Sequence, residues 1–271
     1  MLALIYSPEA AAERARQRPP FGRPRRWWIP ALVAGIAVLI ATAGAASSGV
    51  LTVPGLSSGA CNGSVKLCDR PFNEVALAAT HNSMSVPLPG WFSPEQERPI
   101  PNQLEDGIHG LLIDTYFADL LPNGRHRTVF GKNPLEANGA ESLGPEAKAA
   151  ALRIRDRLGF EGQGERGMYL CHGFCELGAT PVGEVLGQIR DFLVAHPDEV
   201  LLIINQDDVP PAAFVAEVRK AGLERFAYTG AVTGAWPTLR EMIDSGQRLV
   251  IFSEHEGGGA PWYRVGYAAG L

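Results

Sequence analysis

The 271-residue chain is 46% apolar and 20% charged, with 31 Gly, 21 Pro and four Cys. That content is too apolar for a disordered chain and too poor in cysteine for a disulfide-built miniprotein. The net charge of −5 is unevenly spread: residues 1–26 hold six Arg against Glu9 and Glu13, leaving 18 basic and 27 acidic residues beyond. An acidic body lacks the basic surface that phosphate neutralisation needs, so nucleic acid is not an expected partner.

In chain order, the Arg-rich stretch 1–26 reads as a cytoplasmic tail. Residues 27–46 (WWIPALVAGIAVLIATAGAA) follow without a charge. Twenty apolar residues suit a transmembrane helix, and the paired Trp at its start suits the headgroup region. The positive-inside bias then places the rest of the chain outside the cytoplasm, as a single-pass membrane protein held by its N-terminal helix. A cleaved signal peptide is the alternative, since the AGAAS stretch offers small residues for cleavage. Residues 47–60 are a Ser/Gly/Pro linker, and 61–271 form the catalytic-size domain.

All four Cys lie in that domain, as Cys61 with Cys68 and Cys171 with Cys175. Four Cys allow three connectivities, of which local pairing is the simplest, and an oxidising compartment favours disulfides. A zinc site from Cys171, His172 and Cys175 is the alternative, weakened by the lack of a second ligand group at zinc spacing.

Short apolar runs at 75–79 (VALAA), 110–114 (GLLID), 168–171 (MYLC), 200–204 (VLLII) and 249–253 (LVIFS) read as strands. Helical stretches fall at 145–158, 182–195, 211–221 and 239–245. This alternation predicts an α/β fold with a parallel sheet, open or closed into a barrel. The long interval 117–166 predicts an inserted hairpin or lid.

Each apolar run delivers polar groups at its end: Thr80 to Ser83 with His81 and Asn82, then Asp114, then His172, then Asn205, Gln206, Asp207 and Asp208, then Glu254 and His255. In α/β folds that rim is where ligands bind. Two histidines on different strands suit general base and general acid near neutral pH. Asn82 and Asp114 offer oxygen ligands for a hard cation such as Ca²⁺, or hold an imidazole in one tautomer. No nucleophile elbow, P-loop or dinucleotide fingerprint is present, so a nucleotide cofactor is not expected. Two His, a carboxylate and an amide fit cleavage of a phosphodiester by a neighbouring hydroxyl.

The string from Cys61 to Ser83 (CNGSVKLCDRPFNEVALAATHNS) resembles the start of the phosphatidylinositol-specific phospholipase C X-domain-like phosphodiesterases. The stretches QLEDGIHGLLIDTY, MYLCHGFCELGATP and WPTLREMIDSGQRLVIFSE extend the resemblance in the same order, over roughly residues 61–265. The resemblance implies a TIM-type (β/α) barrel that cleaves a phosphoinositide-like lipid or another phosphodiester. By position, His81 resembles the general base and His172 the general acid. Asn82 matches a calcium ligand of the eukaryotic branch, and Asp114 an acid common to both branches. Gln206, Asp207 and Glu254 are the expected substrate-contacting groups on the remaining strand ends.

The chain departs from the pattern in three places. Leu112 stands where the calcium-using branch has a second acid, and Tyr116 where the metal-free branch has an arginine. Arg125, Arg127 and Lys132 of the insertion are candidates for a cationic clamp over the phosphate, or plain solvated charges. The chain ends soon after the fifth strand, so the barrel is expected to be incomplete at its C-terminus. A noncatalytic relative that binds a phosphorylated head group is the alternative reading.

Overall fold

The computed structural model describes residues 59–92, 94–129 and 145–266. The tail at 1–26, the apolar span at 27–46, Lys132 and most of the linker lie outside them. No helix among the described residues is long and apolar enough to cross a membrane.

The fold is mixed α/β. Its strands are β1 (Ala79–Thr80), β2 (Gly110–Leu120), β3 (His126–Val129), β4 (Glu165–Leu170), β5 (Thr180–Pro181), β6 (Leu201–Asp207), β7 (Leu249–Ser253) and β8 (Tyr263–Val265). Its helices are α1 (Ile100–Glu105), α2 (Pro145–Arg157), α3 (Val182–Ala195), α4 (Pro211–Lys220) and α5 (Leu239–Ser245). All eight strands join one sheet, with the path β5-β4-β2-β6-β7-β8 and with β1 and β3 added on β2. That path is open among the described residues, where the sequence left an open sheet and a barrel incomplete at its C-terminus as the alternatives.

β1, β2, β6 and β7 run parallel, as expected, and β8, a strand the sequence did not reveal, pairs parallel with β7. β4 corrects the expectation of a wholly parallel sheet: it runs antiparallel to β2. The cause is the length of β2. Its eleven residues outrun β6, which pairs with Gly110–Thr115 only. The chain turns back through the β2–β3 hairpin, and β4 then descends along Thr115–Leu120. Thr115 therefore sees the C-terminal ends of both neighbours, opposite Asp207 on one side and Leu170 on the other. An antiparallel β4 thus delivers His172 to the same level as a parallel strand would.

The first run, expected at 75–79, contributes only Ala79 to the two-residue strand β1. Ala79 packs so closely on Gly110 that a Cβ there would lie 2.7 Å from the Ala79 Cβ, so only glycine lets β1 reach β2.

The register sorts side chains by parity, since alternate residues of a strand face opposite ways. Ile113, Ile203 and Ile251 face a core built with α3 and α4. α3 presents Val182, Val185, Leu186, Ile189 and Leu193 to it, a stripe at helical spacing. Each such fully buried aliphatic side chain contributes about 1.5–3 kcal/mol. Phe252, Val250 and the partly buried Leu202 face the other way, against Phe72, Leu239 and Met242. α5 opens with a capping box between Thr238 and Glu241 and closes on Gly246 at φ 74°.

Candidate active site

β1 ends in the turn that carries His81 and Asn82. Asn82 is buried and sits at φ 49°, a left-handed conformation that Asn tolerates better than most residues. The turn is held from both sides. The Thr80 hydroxyl donates to Gln103 Oε1 at 2.6 Å, and Gln103 Nε2 donates to the Ser83 carbonyl at 2.8 Å. Gln96 Nε2 donates to the His81 carbonyl at 2.6 Å.

His172 is fixed by a different device. Cys171 and Cys175 are joined as a disulfide, as are Cys61 and Cys68, in the local pairing expected. The first of these closes a four-residue step around His172, and the Cys171 N–H donates to the Asp114 carbonyl at 3.2 Å. With both sulfurs bonded to each other, Cys171 and Cys175 offer no thiolates to zinc.

The two histidines meet at a residue that the sequence reading missed. Glu95 lies in the loop between β1 and α1. Its Oε1 is 3.1 Å from His172 Nδ1, and its Oε2 is 3.7 Å from His81 Nδ1. Asn82 Nδ2 donates to the same Oε2 at 2.9 Å and stands 3.0 Å from His172 Nε2. One carboxylate and one amide thus connect both imidazoles. The loop is pinned by the Glu95 N–H on the Ser85 carbonyl at 3.0 Å. It is also pinned by Trp91, whose indole donates to Thr180 Oγ1 at 3.3 Å. That indole packs on Gly178, where a Cβ would fall 2.3 Å from Trp91 Cδ2 and where φ is 153°. Nothing periodic marks Glu95 in the sequence, because its loop is set by prolines and tertiary contacts.

Asp114 lies buried beside this group. The β2–β6 register puts Asp114 opposite Gln206, and parity carries Tyr116 and Asp208 to the same face. Gln206 Nε2 donates to the Tyr116 hydroxyl at 3.4 Å. Burial first, then the charges of Asp208, Glu254 and Glu95, push the Asp114 carboxyl up to about 7. Burial and Asp208 likewise push the Tyr116 phenol upward, and burial raises Asp208 itself. The coupling of Asp114 to Glu95 ties the acidic face to the histidines electrostatically.

Asp207 points the other way. Its Oδ1 accepts the Glu254 N–H at 3.0 Å and the His255 N–H at 2.8 Å, and its Oδ2 accepts the Glu256 N–H at 2.8 Å. It holds the loop after β7 in place, and Asp208 is the acid that shares a face with Asp114. Counting in twos from the expected strands would have found Asp208. Arg125 and Arg127 are also engaged elsewhere: Arg125 donates to the Leu158 carbonyl and lies over Phe160, and Arg127 pairs with Asp119 at 2.8 Å.

The calcium expected on Asn82 and Asp114 gains no support from this donor set. Asn82 turns its amide nitrogen, not its oxygen, to its partners, and no group of three or more His, Cys, Asp or Glu among the described residues is placed to hold a metal ion.

Residues 157–260 match the family model described as PI-PLC X 1. An Arthroderma benhamiae protein named "Uncharacterized secreted protein" is 29% identical over 72% of this chain and 35% of its own length. A second protein from that fungus, "PI-PLC X domain-containing protein 1", is 27% identical over 71% of this chain and 50% of its own. The chain therefore spans a third to a half of the length of these curated relatives. Among solved structures, a phosphatidylinositol-specific phospholipase C of Staphylococcus aureus aligns at 16% identity with a TM-score of 0.39, over 72% of this chain and 52% of that one.

Proposed function

We propose, from the match of residues 157–260 to the PI-PLC X family model, that the chain is a phosphoric diester hydrolase acting on a phospholipid-like phosphodiester. The observation that carries this reading is the meeting of His81 and His172 at one carboxylate, beside a buried acid, Asp114, whose carboxyl is pushed up to about 7.

In this reading a neutral His81 takes the proton of a substrate hydroxyl as its oxygen attacks phosphorus. A charged His172 gives a proton to the departing oxygen, so the pair moves one proton each way. Asp114 in its protonated form donates a hydrogen bond to a phosphoryl oxygen as negative charge builds there, a part played without net charge. Gln206 and Glu254 border the same face and are proposed to contact the head group. The chemistry runs on protons held by these side chains, with no step through a metal. The parallel strands β1, β2, β6, β7 and β8 follow one another as staves do in a barrel wall, which supports the TIM-type architecture.

A lipid substrate is supported by the rim. Phe92 is 64% exposed and Leu177 48%, with Leu88 and Phe174 exposed nearby in sequence. The Phe92 N–H donates to the Leu177 carbonyl at 2.7 Å, so the loops carrying Glu95 and His172 form one apolar lip. Two disulfides, and a relative named as secreted, support an extracytoplasmic site. The span at 27–46 is proposed as the membrane anchor.

The test is head-group release by the full-length chain from vesicles containing phosphatidylinositol, with and without chelator. Turnover that survives chelation and is lost in His172→Ala supports the reading. Saturable vesicle binding with no release in either condition would favour a noncatalytic head-group binder.

A further inference from the structure

Glu95 has the geometry of more than a neighbour. It comes from a loop separate from both histidine-bearing turns, yet its two oxygens reach the Nδ1 atoms of both rings, at 3.1 Å and 3.7 Å. Its backbone is bonded to Ser85, which is itself bonded to the Asn82 carbonyl, so the carboxylate is tied to the turn that carries His81 and reaches across to His172. Both histidines are substantially exposed, which keeps the Coulombic worth of such pairs small. What the carboxylate can supply is orientation: a proton on Nδ1 is favoured beside its oxygens, which leaves Nε2 as the working atom.

We propose that Glu95 is the shared positioning residue of the two histidines, holding His172 in its Nδ1–H tautomer and steering His81 Nδ1 to the same point, so that both Nε2 atoms serve a single phosphodiester. This rests on the phosphodiesterase reading for its consequence, though not for its geometry. Asn82 completes the arrangement. Its Nδ2 donates to Glu95 and faces His172 Nε2. A donor there suits the neutral ring, and charging His172 turns Nε2 into a donor and releases that contact. A single negative charge also compensates one imidazolium at a time, which matches a pair that must hold one charged and one neutral ring. The other charged groups around this point are Asp114, with Asp208 and Glu254 beyond it.

The experiment labels the imidazole nitrogens of the full-length chain with nitrogen-15 and reads the His172 tautomer directly, in wild type, Glu95→Ala and Glu95→Asp. The wild type is expected to show Nδ1–H with a lone pair on Nε2. Glu95→Ala is expected to relax to a tautomer mixture and Glu95→Asp to recover most of the wild-type signal. On phosphatidylinositol vesicles, Glu95→Ala is expected to lower kcat about ten- to hundredfold with KM within about twofold. An Nε2–H tautomer in the wild type overturns the proposal without any variant, should Glu95→Ala fail to fold. A folded Glu95→Ala with an unchanged tautomer, or with unchanged kcat, overturns it as well. A wild type that shows the expected tautomer and no turnover refutes the phosphodiesterase reading while leaving the assignment of Glu95 in place.

Discussion

Replacing Asp114 with Asn removes a proton-binding site whose affinity differs between the folded and unfolded chain. In the folded protein the carboxyl is pushed from 3.8 to about 7, by burial first and then by Asp208, Glu254 and Glu95. The folded state therefore binds the proton more tightly than the unfolded state, and ionisation opposes folding. The cost is nearly absent below pH 3.8, grows as the pH rises, and is fully present above about 7. At about 1.4 kcal/mol per pH unit, the full displacement corresponds to about 4 kcal/mol. The assay is denaturant unfolding of the full-length chain, with disulfides intact, for wild type and Asp114→Asn at pH 4 and pH 8. Groups remote from Asp114 titrate equally in both proteins and cancel in the difference, while the acids coupled to it, Asp208, Glu254 and Glu95, ionise more easily in the variant. The stability of the variant relative to wild type should rise by about 4 kcal/mol between the two pH values. An equal difference at pH 4 and pH 8 would refute the assignment of a tightly held proton to Asp114.

Two further outcomes follow from the turns that carry the histidines. Asn82→Gly keeps a residue at ease with φ 49° while deleting the amide that faces Glu95 and His172, so turnover should fall with unfolding stability changed by less than about 1 kcal/mol. Asn82→Ala also loses the backbone match, and should lower the denaturation midpoint further by about 1–2 kcal/mol. Replacing Cys171 and Cys175 together by Ser opens the short loop around His172. The expected cost is about 2 kcal/mol in denaturant unfolding, with a larger proportional loss of kcat than of stability.

Much of this site was legible in the sequence because strands announce their own ends. His81, Asn82, Asp114 and His172 stand where apolar runs stop, and β7, α3 and α5 fall within the residues expected for them. The direction of β4 was not legible, since an apolar run has no polarity of its own and the reversal depends on how far β2 outruns β6. Asp207 illustrates a one-residue error: the strand is right, but pairing parity turns Asp207 to the loop and Asp208 to the site. Glu95 was invisible for another reason. It is brought to the histidines by a backbone bond to nearby Ser85 and by Trp91 seated on Gly178, a contact between segments far apart in the chain.

The most direct measurement is a kinetic double-mutant cycle on phosphatidylinositol vesicles with His81→Ala, His172→Ala and the double variant. Two imidazoles serving one proton-transfer reaction should be strongly non-additive, the double variant being about as slow as the slower single one. Losses that multiply independently, or a single variant with wild-type kcat, would contradict a shared site.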